Sequence, residues 1–173
     1  RVKTKKQEKT KADVRDFASG FMKSNKEHHL NFEESIAEDD FISSGSMIMD
    51  SEIGGGFLAG LLRFCGGNEC GKTSEALQVM YEMLDSQENS RGLFIQAEGR
   101  LGKKMKARSG VKFVYDVSEW VDGTCLVLQS NIYDFVFDFI RGIMSNNPNK
   151  TRFCMIIDSM DSLIPKDDAK KST

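Results

Sequence analysis

The chain has 173 residues, 39% of them hydrophobic and 29% charged, and its 24 basic and 26 acidic side chains leave a formal charge of -2. That length suits one domain with a true core rather than two, and no apolar run approaches the roughly 18 residues needed to cross a bilayer, which argues against a membrane protein. The near-neutral total excludes neither nucleic acid nor other partners, while the four cysteines lack the paired spacing of a zinc site or disulfide framework and point to a reducing interior.

Arg1 to Lys11 carries six basic residues against one acid and reads as a solvated terminal run. From Ala12 to Asn25, Val14, Phe17, Ala18, Phe21 and Met22 recur at helical spacing, so one stripe of a short helix is apolar and must bury against its own domain or a neighbouring subunit. The polar stretch Lys23 to Asp40, with His28 and His29 as solvated residues, separates that helix from the rest. Residues 1–40 therefore form an N-terminal segment, helix and linker, and 41–173 the core domain. A chain that opens at Arg1 and stops at Thr173 in a charged stretch is expected to be part of something longer.

Between Ile42 and Cys65, Gly45, Gly54 to Gly56 and Gly60 favour turns over a long helix. Leu61 to Cys65 is an apolar run of strand length, followed by a glycine-rich loop and a helix with Ala76, Leu77, Met80, Met83 and Leu84 on one face. Further strands are predicted at Gly92 to Ala97, Val111 to Val114, Cys125 to Gln129 and Arg152 to Ile157. A helix carries Ile132, Phe135, Val136, Phe139, Ile140 and Ile143 at i, i+3, i+4, i+7 spacing, with Ser130 or Asn131 as cap, Asp134 in its first turn and Phe135 and Phe139 in the core. Trp120 and Tyr115 fall in a polar connection and read as surface aromatics. Alternating strands and helices imply a layered α/β fold, mostly parallel, with ligands at the carboxyl ends of the strands.

Gly66, Gly67, Asn68, Glu69, Cys70, Gly71, Lys72 and Thr73 fit the pattern GxxxxGKS/T, with Ser74 following. In such a loop, glycines let backbone N–H groups curl around phosphate oxygens at a helix N-terminus, the lysine reaches the β and γ phosphates, and the hydroxyl ligates magnesium. A preceding strand and a following amphipathic helix are the context the motif requires, so ATP with Mg2+ is the expected ligand. Asp158 closes the apolar run Phe153 to Ile157, where a carboxylate can hold the magnesium hydration shell opposite Thr73; Asp161 is a weaker second candidate. Glu98 follows the strand ending at Ala97, where a carboxylate can orient and deprotonate an attacking water or be an ordinary surface residue.

Taken in order and spacing, Ile42-Ser43-Ser44-Gly45-Ser46, Asp50, Gly54 to Gly56, Gly60, the loop Gly66 to Thr73, Gln96-Ala97-Glu98, and Asp158-Ser159 through Leu163-Ile164-Pro165-Lys166 resemble RecA-type recombinases. The resemblance spans Ile42 to Lys166 and is nearest the phage-type branch (RecA/UvsX). It implies a RecA-type P-loop NTPase fold with an N-terminal helix extending from the core, and a DNA-dependent ATPase that forms a filament on single-stranded DNA and promotes strand exchange in recombination and repair. By the same resemblance Glu98 is the water-activating glutamate, Lys72, Thr73 and Asp158 take the phosphate and magnesium roles, and the helix around Val14, Phe17 and Phe21 packs on the adjacent protomer. It further implies a cytoplasmic setting in a bacterial or phage-infected host, and places the DNA-binding loops after Thr173, leaving this portion weak or inactive alone. Gln96 stands where many bacterial members carry an acid, and Met105 lies near where an aromatic would stack on adenine. The competing expectations are a replicative helicase or ring ATPase of the same superfamily, and a non-enzymatic ATP-binding regulator or structural polymer.

Overall fold

The computed structural model describes residues 20, 21, 23, 24, 41–99 and 101–169. The chain divides into two units, Arg1–Ala37 and Glu38–Thr173, each considered by itself. In the first, Gly20, Phe21, Lys23 and Ser24 are helical, the Ser24 hydroxyl donates to the Gly20 carbonyl at 2.9 Å, and the Phe21 ring is largely exposed. Val14, Phe17, the basic run and both histidines lie outside the described residues.

The second unit is an α/β layer structure. Its elements in chain order are α1 (Met47–Glu52), α2 (Lys72–Ser86), β1 (Ser90–Gln96), α3 (Lys103–Ser109), β2 (Phe113–Val114), β3 (Cys125–Gln129), α4 (Tyr133–Ser145), β4 (Arg152–Asp158) and α5 (Lys166–Ala169). The four strands form one sheet in the order β2-β3-β1-β4, and every pairing is parallel. Parallel neighbours require crossovers; α3 lies in the connection from β1 to β2 and α4 in that from β3 to β4, while a short 3-10 turn at Val117–Glu119 lies between β2 and β3.

Alternation along the strands sorts the side chains to two faces. Phe94 and Ile156 point with Leu77, Met80, Val111 and Cys125 toward α2 and α3, while Leu93, Ile95, Met155 and Ile157 point with Val136 and Trp120 toward α4. Leu77, Met80, Leu93, Ile95 and Val136 are fully buried, each a contribution of about 1.5–3 kcal/mol relative to exposure. Gly92 makes the closest approach: a Cβ there would stand 2.9 Å from Met80 Sδ and 2.9 Å from Cys125 Cβ, so only glycine lets α2 sit this low on the sheet.

Several expectations need correcting. Leu61 to Cys65 is not a strand. Leu61 is 98% exposed, Leu62 and Cys65 are also exposed, and the run joins no ladder, so the outer edge of β4 is unpaired among the described residues. The run lacks the β-branched residues and alternation that favour a strand; Phe64 instead finds an edge-to-face partner in Phe57, 6.2 Å away. Trp120 is buried rather than superficial, because its indole N–H donates to the Gly92 carbonyl at 2.8 Å and its ring packs against Phe153. Phe135 is half exposed and stacks on Phe139 at the rim of α4 instead of entering the core. Neither Ser130 nor Asn131 caps α4: Ile132 holds the N-cap position, and the Ser130 hydroxyl accepts from Ile132 N at 3.2 Å. No helix among the described residues is long and apolar enough to cross a membrane.

Candidate nucleotide-binding site

The glycine loop opens directly into α2. Gly71 is the N-cap, at φ 94°, a left-handed conformation that strains any residue with a Cβ. Glu69 also has a positive φ, 57°, so the backbone reverses twice within the loop. Lys72 folds back over it, donating from Nζ to the carbonyls of Gly66 at 3.1 Å and Gly67 at 2.6 Å. This bonding holds the ammonium within the loop, and bound phosphates would exchange those carbonyls for stronger, charge-assisted partners.

The three neighbouring strands end flush. Gln96 of β1 is in register with Gln129 of β3 and Asp158 of β4, so one carboxyl edge gathers the predicted acids. Thr73, in the first turn of α2, donates from Oγ1 to Asp158 Oδ2 at 3.1 Å, which joins the loop helix to that edge. Glu98 is fixed beside it: Ala97 N and Glu98 N both donate to the Asp158 carbonyl, at 2.9 and 3.1 Å. The Glu98 carboxylate then accepts from Ser159 Oγ at 3.1 Å and Ser162 Oγ at 3.0 Å, both on Oε2.

Thr73, Asp158 and Glu98 are thus brought together as a chain of contacts, with the Lys72 ammonium held on the loop carbonyls, whereas Asp161 is exposed on a short 3-10 turn. Ser159 and Ser162, the two serines that orient Glu98, are not singled out for that role by the sequence, because the contacts join distant positions.

The loop and the first turns of α2 border a cleft of about 500 Å3, within the usual range for small-molecule sites. Gly71, Lys72 and Ser74 line it, together with Glu75, whose Oε1 is buried without a hydrogen-bond partner. Ser74 Oγ also approaches Met105 Sδ at 3.3 Å, which sets the thioether beside the start of α2, though Met105 packs mainly with the core around Leu77. The lead-in segment abuts the same helix, since a Cβ on Gly45 would fall 2.5 Å from Gln78 Cγ. That segment is locked by Asp50, which accepts from Ser43 Oγ at 2.6 Å and Ser44 N at 2.8 Å. The serine hydroxyls and the amide hold the Asp50 carboxyl below the usual carboxylate range.

Compared with family models, curated proteins and solved structures, the chain matches none.

The donor set at Thr73 and Asp158 fits a magnesium ion, because both side chains offer hard oxygen and they already approach to hydrogen-bond distance. Among the described residues no group of three or more His, Cys, Asp or Glu is placed to hold a metal alone. Magnesium characteristically takes one or two protein oxygens and completes its shell with phosphate and water, so two donors suffice.

Proposed function

We propose that this chain is the ATP-binding core of a RecA-type DNA recombinase, which assembles on single-stranded DNA and uses ATP to promote strand exchange. The observation that carries the reading is the Thr73–Asp158 hydrogen bond at 3.1 Å, with Glu98 pinned to the carbonyl of the same Asp158. A phosphate loop, a hydroxyl and carboxylate pair, and a second carboxylate on the next strand are the parts needed for phosphoryl transfer to water. Support for the recombinase type comes from the order of motifs between Ile42 and Lys166.

In this reading ATP enters over Gly66 to Gly71, and Lys72 leaves the Gly66 and Gly67 carbonyls for the β and γ phosphates. Thr73 Oγ1 and Asp158, now bonded to each other, would be the side chains to hold a magnesium ion, which would supply neutralisation of the charge developing on the phosphates. Glu98, with Oε2 held by Ser159 and Ser162, offers Oε1 to a water and takes its proton as the water attacks the γ phosphorus and the bond from that phosphorus to the β,γ-bridging oxygen breaks, with ADP as the leaving group. A filament of such subunits would use the apolar residues Val14, Phe17 and Phe21 as the link to the neighbouring protomer.

ATP turnover of the full-length protein, measured with and without single-stranded DNA and again in Glu98→Gln, tests this function. The recombinase reading expects DNA-stimulated hydrolysis that the substitution abolishes. Turnover that ignores DNA and is equal in both forms would exclude it, and ATP binding without any hydrolysis would favour an ATP-binding polymer or regulator.

A further inference from the structure

Two of the four cysteines belong to the loop region and two to the core. Cys125 and Cys154 lie on β3 and β4, and burial pushes both thiols up to about 12, which makes them inert. Cys65 and Cys70 are both exposed and both line the cleft over the phosphate loop.

Their separation is small. Cys70 Sγ would stand 2.6 Å from a Cβ on Gly66, so it rests against the residue that follows Cys65. Adding the Cα–Cβ bond, about 1.5 Å, and one Cα–Cα step, about 3.8 Å, puts that sulfur at most roughly 8 Å from the Cys65 Cα. A disulfide needs the two Cα atoms within about 6.8 Å. The Cα atoms can come within that range because Cys65 belongs to a run that joins no strand ladder and because Gly66 and Gly67 lie between the thiols. The ring so closed would run through Gly66, Gly67, Asn68 and Glu69, the span whose backbone must curl around phosphate, and would draw Cys70 away from Lys72 Nζ, 3.9 Å from its sulfur.

We infer that Cys65 and Cys70 form a reversible disulfide by exchange with a low-molecular-weight disulfide such as oxidised glutathione, and that the closed ring shuts the nucleotide site. The second half rests on the nucleotide reading above. In the exchange, Cys70 attacks one sulfur of the small disulfide and expels one thiol, leaving a mixed disulfide. Cys65 then attacks the Cys70 sulfur, forms the Cys65–Cys70 bond and expels the second thiol. Two protein S–H bonds are oxidised, the small disulfide is reduced, and the two protons leave on the released thiols. A small ring in an exposed loop belongs to the labile, regulatory kind of disulfide.

The test incubates the whole chain with oxidised glutathione, maps its cysteines by mass after alkylation and proteolysis, and titrates Mg-ATP by calorimetry before and after. The expected result is a loop peptide two hydrogens lighter with Cys125 and Cys154 still free, and an ATP affinity reduced at least tenfold and restored by dithiothreitol. Cys65→Ser, compared with its own reduced form, should give a mixed disulfide and no internal bond. Glutathione adducts on the native chain without internal linkage overturn the inference, as does a linked loop that binds ATP as tightly as the reduced one. Should the reduced protein bind no ATP, the nucleotide reading fails, and with it the proposed shutting of the site, while the mass map separately decides whether the thiols pair.

Discussion

Thr73 Oγ1 meets Asp158 Oδ2 at 3.1 Å although 85 positions separate the two residues in sequence. The contact ties the helix after the glycine loop to the carboxyl edge of an edge strand, and both groups are partly exposed. A hydrogen bond of this kind to a charged group contributes about 1.5–3 kcal/mol when well shielded, and less in partial contact with water.

Its main consequence is for ligand affinity. Thr73→Val keeps the shape of the side chain and removes the hydroxyl, so the fold should survive with a melting temperature close to that of the native chain. Mg-ATP affinity should fall about tenfold or more, the equivalent of about 1.4 kcal/mol, with much less effect on ATP titrated in excess chelator. Asp158→Asn should show the same pattern. An unchanged Mg-ATP isotherm in both variants would remove these residues from the metal side of the site.

Glu98→Gln preserves an oxygen for Ser159 and Ser162, so circular dichroism and ATP binding should be unaffected. Hydrolysis should drop by about 10²-fold or more, the range associated with loss of a general base. Ser162→Ala removes one of the two donors to Oε2 and should lower turnover less, with KM nearly constant.

Asp50 gives the lead-in segment an acid sensitivity. Its carboxyl is held below the usual range by Ser43 and Ser44, so the stabilisation it provides is complete above the ordinary carboxylate pKa and is lost as pH falls through the lowered folded value. Hydrogen exchange of Ser44 N should therefore accelerate, relative to its intrinsic rate, only in strong acid. In Asp50→Asn the protection should be weaker at neutral pH and should no longer depend on acid.

Gly92→Ala should destabilise the domain by about 1–3 kcal/mol, the usual cost of overpacking. The added methyl would press on Met80 Sδ and Cys125 Cβ, both 2.9 Å from its position. Urea unfolding followed through Trp120, the single tryptophan, provides the readout, because that indole is buried against Phe153 and should shift to the red on exposure. A midpoint equal to that of the native chain would mean that the sheet and α2 separate easily.

Much of this architecture is written locally. The helix at Lys72–Ser86 follows from periodicity and from Gly71 at its start, and the strands at Ser90–Gln96 and Arg152–Asp158 from apolar runs of strand length. Glu98 and Asp158 are legible because each stands one step beyond, or at, the end of an apolar run, and Lys72 because it follows the glycine loop. What the sequence hid depends on distant partners. Trp120 is buried because the Gly92 carbonyl, 28 positions away, accepts its N–H. Leu61 to Cys65 looked like a strand because apolar content cannot distinguish pairing along a sheet from the ring contact that Phe64 makes with Phe57. The hold of Ser159 and Ser162 on Glu98 spans 61 and 64 positions and has no local signature.

Asp158 also accepts, through its main-chain carbonyl, the amides of Ala97 and Glu98. The same residue therefore carries one acid on its side chain and moors the other by its backbone. Any slide of β4 moves both carboxylates in step, and their mutual offset is held constant. Mechanically the site reduces to two bodies, the strand edge with its pair of acids and the loop with its helix, and a single adjustable length between Thr73 and Asp158 describes how far it is open.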